Sequence, residues 1–196
     1  MSKILFLDLD RTLFDTPRFI RVVWQTIGRV YNVDGEQQLA VILDWYRQVG
    51  KLRYYMFEEH VQHVVGQNAD EVAAKIRPLL AKQNFLYDDT TEIKKWQARG
   101  DYSVRILSFG GEWFQKFKIS LSPAIATMPA DVILESKSDF IAREFSGDGG
   151  FLVDDKRNPH LPRGFTEVLI QRGVLQKSKR NGLIVINSFI EVTEIL

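Results

Sequence analysis

The sequence predicts an α/β protein: a Rossmann-like three-layer core with a mostly parallel sheet, plus a small all-helical domain inserted after the first strand. Three observations predict it. Residues 3–7, KILFL, form a continuous apolar run, the pattern of a strand buried on both faces of a parallel sheet. From residue 16 to residue 86 the apolar positions recur at helical spacing only. After residue 100, short apolar runs alternate with helical segments, as in successive βα units. The core is therefore assigned to residues 1–15 and 87–196, and the helical insertion to 16–86.

Element by element, Thr16 and Pro17 read as an N-cap and a first-turn proline. Phe19, Val22, Val23, Thr26, Ile27, Val30 and Tyr31 then follow along one helical face. Asp34 with Gln37 resembles a capping box for a second helix carrying Leu39, Ile42, Leu43 and Tyr46. Residues 52–65 read as a third helix. Asn68 and Glu71 cap a fourth, whose stripe of Ala69, Val72, Ala73 and Ile76 is interrupted at Pro78. Residues 88–100 form a helix closed by Gly100. Strands are expected at 102–107, 131–134, 151–153, 166–170 and 183–187, and helices at 111–117, 138–145 and 188–196.

Composition narrows the function. The chain has 196 residues, 45% hydrophobic and 26% charged, with a formal net charge of +1. That balance lacks the basic excess of a nucleic-acid binder, so no nucleic-acid partner is expected. No apolar run is long enough to span a membrane, and MSKILFLDLD turns acidic too early for a signal peptide. The default location is cytoplasmic. There is no cysteine and there are only three histidines, which leaves oxygen donors as the metal-binding chemistry.

Those donors collect at strand ends. In an open parallel sheet, ligands bind beyond the carboxyl ends of the strands. The first strand ends in Asp8 and Asp10, alternate positions that point the same way. The second ends at Ser108, before Phe109, two glycines and a helix. The third is followed by Lys137, and the fourth ends in Asp154 and Asp155. Four carboxylates, a hydroxyl and a cation suit phosphoryl transfer. Clustered carboxylates favour Mg²⁺, which retains waters and bridges to phosphate. Ser108 and the N–H groups after it can bind phosphate oxygens. Lys137 supplies positive charge, and an aspartate, ionised at neutral pH, can attack phosphorus directly.

The order DLDRT, ILS, a lysine before a helix and VDD resembles the haloacid dehalogenase superfamily of phosphohydrolases, whose helical caps often follow the first motif. The resemblance spans nearly the whole chain. It implies that Asp8 is the nucleophile, forming an aspartyl-phosphate, and that Asp10 protonates the leaving group and then activates water. It implies Mg²⁺ on the Asp8 carboxylate, the Asp10 backbone carbonyl and the Asp154/Asp155 pair, with Asp155 favoured as the closer ligand. Phosphate would be held by Ser108 and Lys137 and by the N–H groups of Leu9 and Phe109. Asn158 would support the acidic loop. The partner is then a small phosphorylated substrate. Arg11 departs from the family pattern, in which many members carry glycine. The alternatives are a phosphomutase, a dehalogenase (disfavoured by Asp10), or a non-catalytic binding or regulatory module on the same scaffold.

Other stretches carry blander readings. His60 and His63 suit a helix surface, GDGG at 147–150 a turn, and QKSKR at 176–180 a solvated loop. The aromatic and basic run at 45–57 suits packing between helices.

Overall fold

A computed structural model describes residues 3–173, 178–180 and 183–195. Its elements are β1 (Lys3–Leu7), α1 (Thr16–Tyr31), α2 (Gly35–Ala40), β2 (Tyr46–Val49), β3 (Leu52–Tyr55), α3 (Phe57–Val65), α4 (Ala69–Leu80) and α5 (Glu92–Arg99). They continue as β4 (Tyr102–Phe109), α6 (Glu112–Ser120), β5 (Ala130–Ile133), α7 (Lys137–Glu144), β6 (Gly150–Asp154), β7 (Phe165–Ile170), β8 (Ser178–Arg180), β9 (Leu183–Ile186) and α8 (Phe189–Val192). The chain divides into two compact units. One comprises residues 1–14, 86–108 and 128–196, and the other residues 15–85 and 109–127. Residues 109–127, which the sequence reading assigns to the core, thus group with the helical segment.

The first unit is built on a seven-stranded sheet of order β5-β4-β1-β6-β7-β9-β8. β1 pairs in parallel with β4 and β6, β6 with β7, and β7 with β9, whereas β8 runs antiparallel to β9. β1 is central and, after Lys3, fully buried, as its unbroken apolar run requires. Ile4, Phe6, Leu107, Leu152, Ile133, Phe140 and Ile141 form one core cluster between sheet and helix. β6 approaches β1 so closely that a Cβ on Gly150 would lie 1.8 Å from the Ile4 carbonyl oxygen. Only glycine fits there. β8 was not expected as a strand; residues 176 and 177 of that stretch lie outside the described residues.

The second unit contains α1–α4 and α6, with α1 capped by the Asp15 carboxylate, which accepts the Arg18 N–H at 3.1 Å. Thr16 is therefore the first helical residue, not the cap, because the longer acid one position earlier reaches the free N–H. The Asp34 and Asn68 caps form as expected, each accepting an N–H three residues on at 2.9 Å. α4 runs through Pro78 to Leu80.

Two expectations fail between residues 40 and 55. α2 stops at Ala40, followed by a single 3₁₀ turn that leaves Leu43 68% exposed. The unit is also not all helical. β2 and β3 form an antiparallel hairpin, with Tyr46 opposite Tyr55 and Val49 opposite Leu52. Its two-residue connection begins with Gly50 at φ +59°, the conformation tight hairpins demand of their first central residue. Tyr46, Val49, Tyr54 and Tyr55 are strand formers, and their aromatic spacing imitates a helical stripe.

The hairpin supplies one end of a buried polar chain. Trp24 Nε1–H donates to Tyr55 Oη at 2.9 Å, and Tyr55 Oη lies 2.8 Å from His60 Nδ1. His60 Nε2 lies 3.0 Å from Gln38 Oε1. Gln38 Oε1 can only accept, so Nε2 carries the hydrogen of the neutral ring, and Nδ1 accepts the Tyr55 hydroxyl hydrogen while Trp24 donates to Tyr55 Oη. His60 is fully buried and stacked on Trp45 with centroids 4.5 Å apart, so it is not part of a helix surface. Burial, and to a lesser extent His63, lowers its pKa to about 4.

Candidate active site

The loop after β1 is tight and tied at both ends. The Asp8 N–H donates to the Val153 carbonyl at 2.9 Å, extending the β1–β6 ladder by one residue. The Leu9 carbonyl accepts the N–H groups of Leu13 and Phe14, and the Arg11 N–H donates back to the Phe14 carbonyl at 2.8 Å. This geometry holds Arg11 at φ +62°, a left-handed conformation that favours glycine. It is the position at which many members of the resembled family carry glycine. Thr12 is fully buried, and its hydroxyl accepts the Asp155 N–H at 3.0 Å, joining the first acidic loop to the second.

Asp154 is the last residue of β6 and Lys137 the first of α7, a helix capped by Ser136. Lys137 Nζ donates to Asp8 Oδ1 and to Asp154 Oδ2, the latter at 2.7 Å, and all three side chains are buried. Asp154 Oδ1 accepts the Lys156 N–H at 2.9 Å, and Oδ2 also accepts Asn158 Nδ2 at 3.0 Å. The loop carrying these donors is held from β7. The buried Glu167 receives the Asn158 N–H and, at 3.0 and 3.1 Å, Arg157 Nε.

One buried cation thus faces several acids, and their proton affinities separate. Burial raises Asp8 to about 7, with Asp154 and Asp10 adding to the rise and Lys137 opposing it. Burial also penalises Asp154, but Lys137 and the hydrogen bonds from Lys137, Lys156 and Asn158 prevail and hold it below the usual range. Asp155 is raised to about 6 by burial and by Asp154, against Lys156, Lys137 and Arg11. Lys137 is itself pushed up, its burial outweighed by Asp154 and Asp8. Negative charge exceeds what one lysine neutralises.

The arrangement fits a divalent cation. Asp8, Asp154 and Asp155 each offer a carboxylate oxygen, all within 4.8 Å of one another. Asp8 Oδ2 is buried with no hydrogen-bond partner in the protein. Three carboxylates without a nitrogen or sulfur donor form a hard set, suited to Mg²⁺.

Of the residues singled out in the sequence, Asp8, Lys137, Asp154 and Asp155 are brought together. Asp10 follows two residues on, half-buried and bridged to Phe14. Ser108 lies at the same end of the sheet, on β4 next to β1, fully buried with its Oγ unpartnered. Leu9 is buried in the tight loop. Phe109 belongs to the second unit, where its ring meets Tyr54 edge-on at 6.3 Å and its carbonyl accepts Gln115 Nε2. Asn158 supports Asp154, as expected. Glu167 escaped sequence reading, although a glutamate inside the apolar run of β7 was the available signal. Among the described residues, no helix is long and apolar enough to cross a membrane.

No protein-family model matches the chain, and no curated protein matches it in sequence. Solved structures do match. A HAD phosphatase from Thermococcus onnurineus superposes with a TM-score of 0.64 at 16% identity, covering 100% of this chain and 97% of that one. A putative haloacid dehalogenase-like hydrolase from Burkholderia xenovorans LB400 gives 0.66 at 18% identity, with the same coverage. A putative HAD-hydrolase from Bacillus subtilis, described as bound to magnesium, gives 0.59 at 13%, covering 100% and 98%. These matches show the fold: over its whole length the chain is folded like the haloacid dehalogenase-like hydrolases.

Proposed function

We propose that the protein is a Mg²⁺-dependent phosphohydrolase of the haloacid dehalogenase type, acting on a small phosphorylated compound through an aspartyl-phosphate. The observation that carries this reading is Asp8. It directly follows the interior strand β1, with one oxygen on Lys137 and the other buried and unpartnered, beside two further acids.

The Asp8 carboxylate attacks phosphorus, forming an O–P bond as the bond to the leaving oxygen breaks. Asp10 gives its proton to that oxygen, then takes one from a water, which attacks phosphorus and releases phosphate and Asp8. Lys137 and the Ser108 hydroxyl hold the phosphoryl oxygens, joined by the N–H group of Leu9. Mg²⁺, held by Asp8, the Asp10 carbonyl, Asp154 and Asp155, would offset the charge of the phosphoryl group. Asp8 and Lys137 already share a hydrogen bond, which keeps the nucleophile oriented between turnovers.

The test is hydrolysis of p-nitrophenyl phosphate and of a panel of phosphorylated metabolites, with Mg²⁺ and after chelation. Turnover should require the metal, and Asp8→Asn should remove nearly all of it. Turnover that survives in Asp8→Asn, or halide release from 2-haloacids without phosphatase activity, would refute the reading.

A further inference from the structure

Thr12 is held from two directions. Its hydroxyl accepts the Asp155 N–H, and its carbonyl accepts Arg172 Nη2 at 2.8 Å. Arg172 stands 160 residues away in sequence, just after β7. Its guanidinium is held through both terminal nitrogens, while Nε is buried with no hydrogen-bond partner. Nη1 and Nη2 form a two-pronged pair with Asp89, both bonds 3.0 Å long. Asp89 in turn accepts the Phe189 N–H at 2.8 Å, at the start of α8. The guanidinium carbon lies 3.8 Å from the centre of the Tyr87 ring, at cation–π distance, and the Tyr87 N–H donates to the Leu13 carbonyl at 3.1 Å.

We propose that Arg172 is a positioning residue for the divalent-cation site, acting through Thr12 on Asp155. A planar donor fork locked by Asp89 and Tyr87 gives the Thr12 carbonyl one position. That fixes the hydroxyl, and the hydroxyl sets the backbone that carries the Asp155 carboxylate towards Asp8 and Asp154. The acids at two loop ends must meet within a few ångströms, and a carboxylate displaced by one ångström no longer completes the set. The charge of Arg172 is spent on Asp89, so its contribution is geometric. The inference rests on the metal reading above.

The experiment is a calorimetric titration of the full-length protein with Mg²⁺ and with Mn²⁺, without substrate, alongside thermal unfolding. Arg172→Met should weaken metal binding about tenfold, the lower end of what removing an outer-shell partner costs. Arg172→Lys should fall between, because a lysine reaches one acceptor but not Asp89 and Thr12 together. Thr12→Val should weaken binding similarly, and the double variant Arg172→Met/Thr12→Val should lose no more than Thr12→Val alone. Arg105→Met, which loses its ion pair with Asp131 in the same unit, serves as a control for destabilisation away from Thr12. Wild-type metal affinity in Arg172→Met or Arg172→Lys, or additive losses in the double variant, would overturn the proposal. An equal loss in Arg105→Met would do the same. Absence of saturable binding to the wild type would overturn the metal reading, and this inference with it.

Discussion

His60 should make the protein acid-sensitive by a predictable amount. In the folded chain its Nδ1 accepts a hydrogen bond from the Tyr55 hydroxyl and its Nε2–H donates to Gln38, so a second proton on Nδ1 has no acceptor to meet. Its pKa falls from 6.5 to about 4. Below pH 6.5 the unfolded chain therefore binds a proton that the folded chain refuses, and stability is lost as pH falls. At 1.36 kcal/mol per pH unit, the loss relative to pH 7 reaches about 2 kcal/mol at pH 5 and about 3 kcal/mol at pH 4, and it is absent above pH 7. Carboxylates titrate in the same range, so the comparison must be differential. Urea unfolding of the wild type and of His60→Phe should be followed from pH 8 to pH 4. The variant is expected to be less stable at pH 8, where Tyr55 loses its acceptor, by about 1–3 kcal/mol. Its stability should then fall less steeply, so that the gap between the two proteins closes towards pH 4. Parallel curves would refute the assignment of a neutral, proton-excluding His60.

Arg11→Gly should raise stability by about 0.5–1 kcal/mol, because relief of left-handed strain exceeds the extra chain entropy of glycine; denaturant midpoints check this. Gly150→Ala should cost more than about 3 kcal/mol, since its Cβ would strike the Ile4 backbone, and poor soluble yield or a sharply lowered melting temperature is the expected reading. Asp155→Asn should raise the Mg²⁺ concentration for half-maximal activity more than Asp154→Asn does. Asp154→Asn should instead lose more thermal stability, because Asp154 holds Lys137, Asn158 and the Lys156 N–H. Ca²⁺ should inhibit, its looser coordination allowing Asp8 to bind through both oxygens.

The sheet was legible because β1 is buried on both faces and reads as an unbroken apolar run, and because β6, β7 and β9 carry short apolar runs of their own. The site was legible because side chains at the carboxyl ends of parallel strands converge. Asp8, Lys137, Asp154 and Asp155 could be picked out by chain order alone. What failed is local competition. The stretch from Trp45 to Tyr55 carries aromatic residues that satisfy a helical stripe and a hairpin equally, and Gly50 decides between them through a positive φ. His60 looked like a surface residue because its burial depends on Trp24, Tyr55 and Gln38, none adjacent in sequence. Arg172 stayed hidden for the same reason. It acts on the Thr12 carbonyl 160 residues away, and such a pairing leaves no spacing to read.

Grouping residues 109–127 with residues 15–85 has a consequence for how the protein is made. Phe114 stacks on Phe57 at 4.6 Å and lies 5.8 Å from Phe19, and Trp113 stacks on Phe57 at 5.7 Å. The helices of the insertion leave the ribosome before these partners exist. At roughly 5–20 residues per second, several seconds of synthesis separate Phe85 from Thr127. During that interval Phe19 and Phe57 have Phe85, Trp24 and Tyr55 to pack against but lack the rings that α6 brings, so the aromatic cluster stays incomplete until α6 is made. The same interdependence means that residues 16–86 cannot be cut out cleanly: excision would strip the rings of α6 of their cover and leave a sticky remnant in place of a bare α/β core.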